Sequence, residues 1–471
     1  MPSSSLRREN AVEKLSAKMD ISRLSAVEAA SAIRAGDLTS SVLTRTLLDH
    51  IEAVDAQIQA WAYLDAEGAM EQAQAADEHA KRGDIKSLLH GIPVGVKDIF
   101  DTEDMPTERG TSIYCGRRPT RDCTVVGMMR RAGMVVLGKT VTTELASYSP
   151  GKTQNPHDPR RTPGGSSSGS AAAVAAGMVP LATGSQTYGS ITRPASFCGV
   201  YGYKPTYGAI SRHGVLCQSR QLDHVGVFAR NLEDAAAVSS LLIHADDEDP
   251  DTLSSHLLQD LVQSLHQITA RPHPRFAFIK TVLWDRVTVS AQSAFCEMVA
   301  SLEDRVQEVT LPDSFGDAER LLVTIMEADM ATNYATEYER SCDALSPMIR
   351  LMIERGQQCS KDTYRKAIVD ATRLGTELEE CLSRYDAILT PATCGEAPIG
   401  LDRTGDPAPC ALWTLCRVPT LCVPLLRGDQ AMPIGVQMVS GRGEDAQLFG
   451  AARWLVDFMS ERRGGWRSAW A

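Results

Sequence analysis

The chain has 471 residues, with 59 acidic against 48 basic side chains, a net charge of −11 and a pI near 5.5. Such a length can bury one large core or two smaller ones, and an acidic balance without a basic run argues against nucleic acid or an anionic membrane as a main partner. The opening stretch, MPSSSLRRENAVEKLSAKMD, has no apolar signal core, and no later apolar run is long enough to span a bilayer; a cytoplasmic location is therefore the expectation.

Residues 1–24 read as a polar N-terminal arm and 25–465 as one domain, since no repeat, linker or low-complexity tract interrupts the chain. Ser25 to Arg34 reads as a helix capped by Ser25, with Gly36 just past its end. A second helix is predicted from Ser40 to Val54, where Leu43, Leu47, Ile51 and Val54 form an apolar stripe. Ala66 to Arg82 reads as a third; all three are expected to be an outer layer. From His90 the pattern changes to short apolar segments between Gly and Pro. Ile92 to Val96 reads as a strand ending at Lys97, Thr124 to Arg131 as a helix and Met134 to Leu137 as a strand, so an α/β alternation begins.

The most informative stretch is Gly164 to Thr206, GGSSSGSAAAVAAGMVPLATGSQTYGSITRPASFCGVYGYKPT. Its Gly/Ser turn and Ala-rich run, Gly169 to Ala176, closed by Gly177, predict a short, closely packed helix. Met178 to Ala182 reads as a buried strand and Gly184 to Ser190 as a second polar turn. A helix–strand unit of this kind can fold back and bring Ser166 and Ser190 together. Beyond Gly226, Asp246 to Pro250 reads as an acidic loop. Phe276 to Ile279, Val306 to Leu311 and Asp386 to Pro391 read as strands, and Ala318 to Arg340 as one long helix bearing Tyr334 and Tyr338.

Two motif matches are set aside. Gly133 to Thr140 fits the phosphate-loop expression G-x-x-x-x-G-K-[ST], but Met134 to Leu137 reads as a strand interior rather than a turn that wraps phosphate. Gly165 to Gly169 fits G-x-S-x-G, yet a nucleophile elbow must follow a strand, and Asn155 to Pro163 precedes it. The twelve cysteines are scattered, with no C-x-x-C pair. They are expected to be buried free thiols, Cys410, Cys416 and Cys422 included. His157, His213 and His224 lie in no triad-like segment and read as loop or packing residues.

The stretch resembles the signature segment of the amidase signature family of serine hydrolases. The segment Gly91-Ile-Pro-Val-Gly-Val-Lys97-Asp98 matches the G-V-K-D motif of the same family, and Trp413-Thr-Leu and Pro433 to Val439 resemble its closing segments. Similarity is densest over residues 88–226. The resemblance implies one large α/β/α domain around a twisted mixed β-sheet covered by helices. It also implies a catalytic set of Lys97, Ser166 and Ser190. Ser190 is then the nucleophile, 24 residues after Ser166, which stands on a cis peptide and relays protons.

A serine hydroxyl needs a base, and a lysine serves only when neutral, a state that burial favours. Backbone N–H groups of Thr187, Tyr188, Gly189 and Ser190 are the implied oxyanion hole. Ser167 and Ser168 read as supporting turn residues. No metal or organic cofactor is needed. Ser147, Tyr148, Tyr188 and Trp413 are expected to line the acyl pocket.

The departures are informative. Where the family carries G-T-D-T-G-G-S-I-R, this chain has Gly184-Ser-Gln186-Thr-Tyr188-Gly-Ser-Ile-Thr192-Arg193. A charge pair is lost as a unit, and Arg193 is an alternative partner for Gln186. Tyr188 carries strain if that position needs a positive φ, or else its ring forms a pocket wall. Trp413-Thr-Leu and the Gln186/Arg193 combination resemble a bacterial branch that includes carbamate- and biuret-type hydrolases. The expected activity is cleavage of small amides, carbamates or urea-like compounds. The alternative is the amidase-like subunit of a tRNA-dependent amidotransferase. Oligomeric state is not legible.

Overall fold

The computed structural model describes residues 21–265 and 269–462; most of the expected N-terminal arm lies outside them, as do 463–465 of the expected domain. The first helix, Ala26–Ala35, starts where Ser25 accepts the Glu28 N–H in a capping box and stops at Gly36, which adopts φ 80°. The helix Ser40–Ile58 runs one turn past its predicted end, and Ala66–Lys81 follows the expected span. Between these two lies a strand that the pattern did not show.

Eleven strands form one sheet: β1 Trp61–Leu64, β2 Pro93–Lys97, β3 Val135–Thr140, β4 Leu181–Gln186, β5 Tyr201–Lys204, β6 His224–Ala229, β7 Phe276–Phe278, β8 Val306–Glu308, β9 Ala387–Pro391, β10 Thr420–Arg427 and β11 Pro433–Val439. Their order is β1-β3-β2-β4-β6-β5-β10-β11-β9-β7-β8. β2 runs parallel to both β3 and β4, whereas β4 is antiparallel to β6, so the sheet is mixed. Alternate residues feed two cores. Val136, Leu181 and Val227 join the larger, and Val135, Leu137, Ala182 and Phe228 the smaller. Helices cover both faces, giving the expected α/β/α layering.

The structure corrects several element predictions; β3 runs on to Thr140 rather than ending at Leu137, because it pairs with both β2 and β1. β4 begins later than Met178 to Ala182 and takes in Gly184, Ser185 and Gln186, because its ladder with β6 runs from Leu181↔Ala229 to Gln186↔His224. The polar turn is therefore shorter. β7 and β8 end earlier than predicted. The helix expected over Ala318 to Arg340 is two, Ala318–Asn333 and Ala335–Ser341, broken at Tyr334. Tyr334 is fully buried, and its phenol donates to the Leu145 carbonyl at 3.0 Å, a tertiary bond that outweighs helical continuity.

All twelve cysteines are unpaired, but only Cys123, Cys198, Cys410, Cys416 and Cys422 are buried; Cys342, Cys359, Cys381 and Cys394 are half-buried, and Cys115, Cys217 and Cys296 are exposed. The phosphate-loop lookalike is the buried strand β3. Its Lys139 ammonium donates to the Phe100 carbonyl at 2.7 Å and lies 3.6 Å from Asp98, a task incompatible with gripping a nucleotide.

Candidate active site

Two neighbouring parallel strands aim their C-terminal ends at one edge of the sheet. Lys97 is the last residue of β2, and β4 runs directly into the turn Thr187–Ser190. The Lys97 N–H donates to Thr183 Oγ1 at 2.9 Å, fixing the strand ends to each other. The helix Ser168–Ala175 is buried on its whole circumference except at Ala175, which explains its small residues. A Cβ on Gly169 would lie 2.3 Å from both the Ala60 carbonyl oxygen and the Val141 nitrogen, so only glycine permits this approach.

The Gly165–Ser166 peptide is cis. Its turn is stitched to the second one: Arg193 Nη2 donates to the Gly165 carbonyl at 2.6 Å, and the Ser185 N–H donates to Ser167 Oγ at 3.3 Å. Gly164 adopts φ +85°, and a Cβ there would come within 2.7 Å of Pro194 Cα, in the helix that follows Ser190. The two serine turns thus face each other. The elbow-like Ser167 follows no strand and is held against Ser185.

Lys97 is fully buried. Its Nζ lies 2.8 Å from Ser166 Oγ and 2.7 Å from Ser185 Oγ. Burial lowers its pKa well below the ordinary lysine value, and the charge of Asp223 offsets part of that shift. Asp223 is itself pushed up to about 6 by burial, against hydrogen bonds from Thr187 Oγ1 at 2.5 Å and from the Gln218 and Ser219 N–H groups. Ser185 is a site residue that the sequence reading missed. Its signal is the Thr183-x-Ser185 spacing, which puts two hydroxyls on one face once the strand continues past Ala182; the segment reads instead as a turn because of Gly184.

The replaced charge pair has become a neutral clamp. Gln186 Oε1 accepts the N–H groups of Ile191 and Thr192 at 2.8 and 2.9 Å, and its amide donates to Thr414 Oγ1 at 2.9 Å. Thr414 donates to the Tyr188 carbonyl at 2.8 Å. Arg193 is therefore not the partner of Gln186; it reaches Gly165 and Thr404, and its Nε and Nη1 have no partner among the described residues. Tyr188 does not adopt a positive φ, so the expected strain is absent. A trans peptide is planar with its C=O and N–H opposed, so Thr414, by holding the Tyr188 carbonyl, aims the Gly189 N–H the other way. Thr414→Val is expected to cost about 1–3 kcal/mol, because Gln186 and Tyr188 each lose a buried partner, and to lower turnover; urea unfolding and steady-state kinetics check both.

A cavity of about 320 Å³ lies beside this site, lined by Ser185 and Thr187 but not by Lys97, Ser166 or Ser190. Ala146, Ser185, Thr187, Gln218 and Asp223 stand on its wall, and Arg212 and Asp251 lie toward its polar side, paired with each other at 2.6 Å. The expected pocket residues do not line it. Trp413 is fully buried in the larger core. Ser147 points its hydroxyl at Met352 Sδ, 3.7 Å away, and Tyr148 is packed against the core, its phenol pKa raised by burial. His157 bonds the Cys198 carbonyl and His224 the Leu222 carbonyl, both as packing residues.

Solved structures share this architecture. The peptide amidase of Stenotrophomonas maltophilia superposes with a TM-score of 0.81 at 27% identity, covering 95% of this chain and 98% of that one. A chain from a vestigial protein complex tied to the origins of an s-triazine catabolic enzyme gives 0.84 at 26%, covering 94% and 99%. The fold is that of amide-hydrolysing enzymes. The amidase family profile matches residues 42–449, and the chain belongs to the amidase signature family. AmiD of Mycobacterium bovis, provisionally named an amidase, is 34% identical over 91% of this chain and 92% of its own length. The A chain of the glutamyl-tRNA(Gln) amidotransferase of Thermobifida fusca is 32% identical over 95% and 98%.

Proposed function

We propose that the chain hydrolyses C–N bonds of small amides or of carbamate- and urea-like compounds through an acyl-enzyme on Ser190. The observation that carries this reading is the 2.8 Å bond between Ser166 and the buried amine of Lys97. Neutral Lys97 takes the Ser166 proton as Ser166 takes that of Ser190, and Ser190 Oγ bonds to the substrate carbonyl carbon. The oxyanion is met by N–H groups of the Thr187–Ser190 turn, that of Gly189 held in aim by Thr414. The C–N bond breaks as the proton returns through Ser166 to the nitrogen, which leaves neutral. Water then repeats the sequence on the acyl-Ser190 and releases the acid, or the carbamic acid, product.

Cytoplasmic residence and the absence of a nucleic-acid or membrane partner belong to the same reading. A second reading, an amidotransferase component that works with partner chains, is supported by the similarity to the Thermobifida fusca protein. The purified chain is to be offered a matched aryl amide, aryl carbamate and aryl ester. Turnover by the chain alone supports the hydrolase, and the amide-to-carbamate ratio gives the substrate class. A folded chain silent on all three, yet active once partner chains are added, supports the second reading.

A further inference from the structure

Tyr188 stands directly before Gly189 and Ser190, where the family pattern has a small residue. Its ring is buried, and its two polar groups are held by segments remote in the chain. The carbonyl accepts from Thr414, and the phenol donates to Glu319 Oε1 at 2.7 Å. Glu319 lies in the first turn of the helix Ala318–Asn333, and its other oxygen is 3.7 Å from Arg286 Nη1. Arg286 also pairs with Asp406, whose Oδ1 accepts the Ala408 N–H at 3.0 Å. Glu319 thus holds the phenol, and Arg286 and Asp406 back that carboxylate in a chain.

The Glu319 side of this bond is only partly covered. Glu319 borders a cavity of about 230 Å³, together with Phe315, Ala318, Pro409 and Leu412, so the outer side of the brace is partly hollow. The opposite side of the same wall supports the turn: a Cβ on Gly189 would lie 3.1 Å from Cys410 Sγ and 3.3 Å from Pro407 Cβ. The turn is close-packed at Gly189 and tethered at Tyr188. The Gly189 N–H shares a rigid plane with the Tyr188 carbonyl, so that plane is held from both ends of Tyr188, by Thr414 at the carbonyl and by Glu319 at the phenol.

We propose that Glu319 is a positioning residue, which holds Tyr188 and through it the oxyanion donors beside Ser190. This rests on the hydrolase reading above. The test uses the full chain with Y188F, E319A, E319Q and the double variant Y188F/E319A. Turnover of the aryl substrate and labelling of Ser190 by a fluorophosphonate are measured, with urea unfolding to verify folding. Y188F and E319A are each expected to lower kcat and the labelling rate roughly tenfold, the loss of one hydrogen bond to a charged group. KM should stay within about twofold. The double variant should fall no further than either single one, and E319Q, which keeps an accepting oxygen, should recover most of the loss. Multiplying losses in the double variant, an effect confined to KM, or variants equal to wild type would overturn the proposal while leaving the hydrolase intact. A wild-type chain that neither turns over substrate nor takes the label strikes the hydrolase reading itself, and the positioning role falls with it.

Discussion

Ser190→Ala is expected to abolish turnover, lowering kcat by roughly 10⁴- to 10⁶-fold, as removal of a nucleophile does in serine hydrolases. The residue is nearly buried in the turn between β4 and the helix Thr192–Cys198, and the change removes a single oxygen, so stability should stay within about 1 kcal/mol. Product release from the aryl substrates, with mass spectrometry of the fluorophosphonate adduct, reads the result. The wild-type chain should carry the adduct on Ser190 and the variant none. A variant that retains full activity would remove Ser190 from the mechanism, and with it the role given to the Thr187–Ser190 turn.

Lys97→Met is expected to be nearly as damaging, about 10³-fold or more in kcat, because the general base is lost from a unit whose members act together. The same change should raise stability at pH 7 by about 1 kcal/mol. Burial lowers the Lys97 pKa in the folded chain, so between that value and the ordinary lysine value the unfolded chain binds more protons. Wild-type stability therefore rises with pH across this window, and the advantage of the methionine variant shrinks as pH approaches about 10. Activity follows the same titration: kcat/KM should fall as pH drops through the lowered Lys97 value. Urea unfolding at pH 7 and 9.5 and a pH–rate profile check the pair. A methionine variant equally destabilised at both pH values would show that Lys97 is a structural cation rather than a neutral base.

Features that depend on a few adjacent residues were legible in the residue order. Ser25 with Glu28 and Gly36 set both ends of the first helix, and Ala66–Lys81 follows its expected span, since caps and apolar periodicity act locally. The resemblance picked out Lys97, Ser166 and Ser190, and the α/β layering followed from the alternation of apolar segments. What depends on register and on remote partners came only with the folded chain. Ser185 and Gln186 belong to a strand because β6 pairs with them, and that places Ser185 Oγ on Lys97. Thr414 and Glu319 hold Tyr188 from 226 and 131 residues away. Trp413, legible as a signature residue, is core because the helix Ala411–Leu415 turns it inward. Arg193 bonds Gly165, not Gln186, because the two serine turns face each other across the sheet edge. Local chemistry fixes which side chains can act; only long-range packing fixes which of them meet.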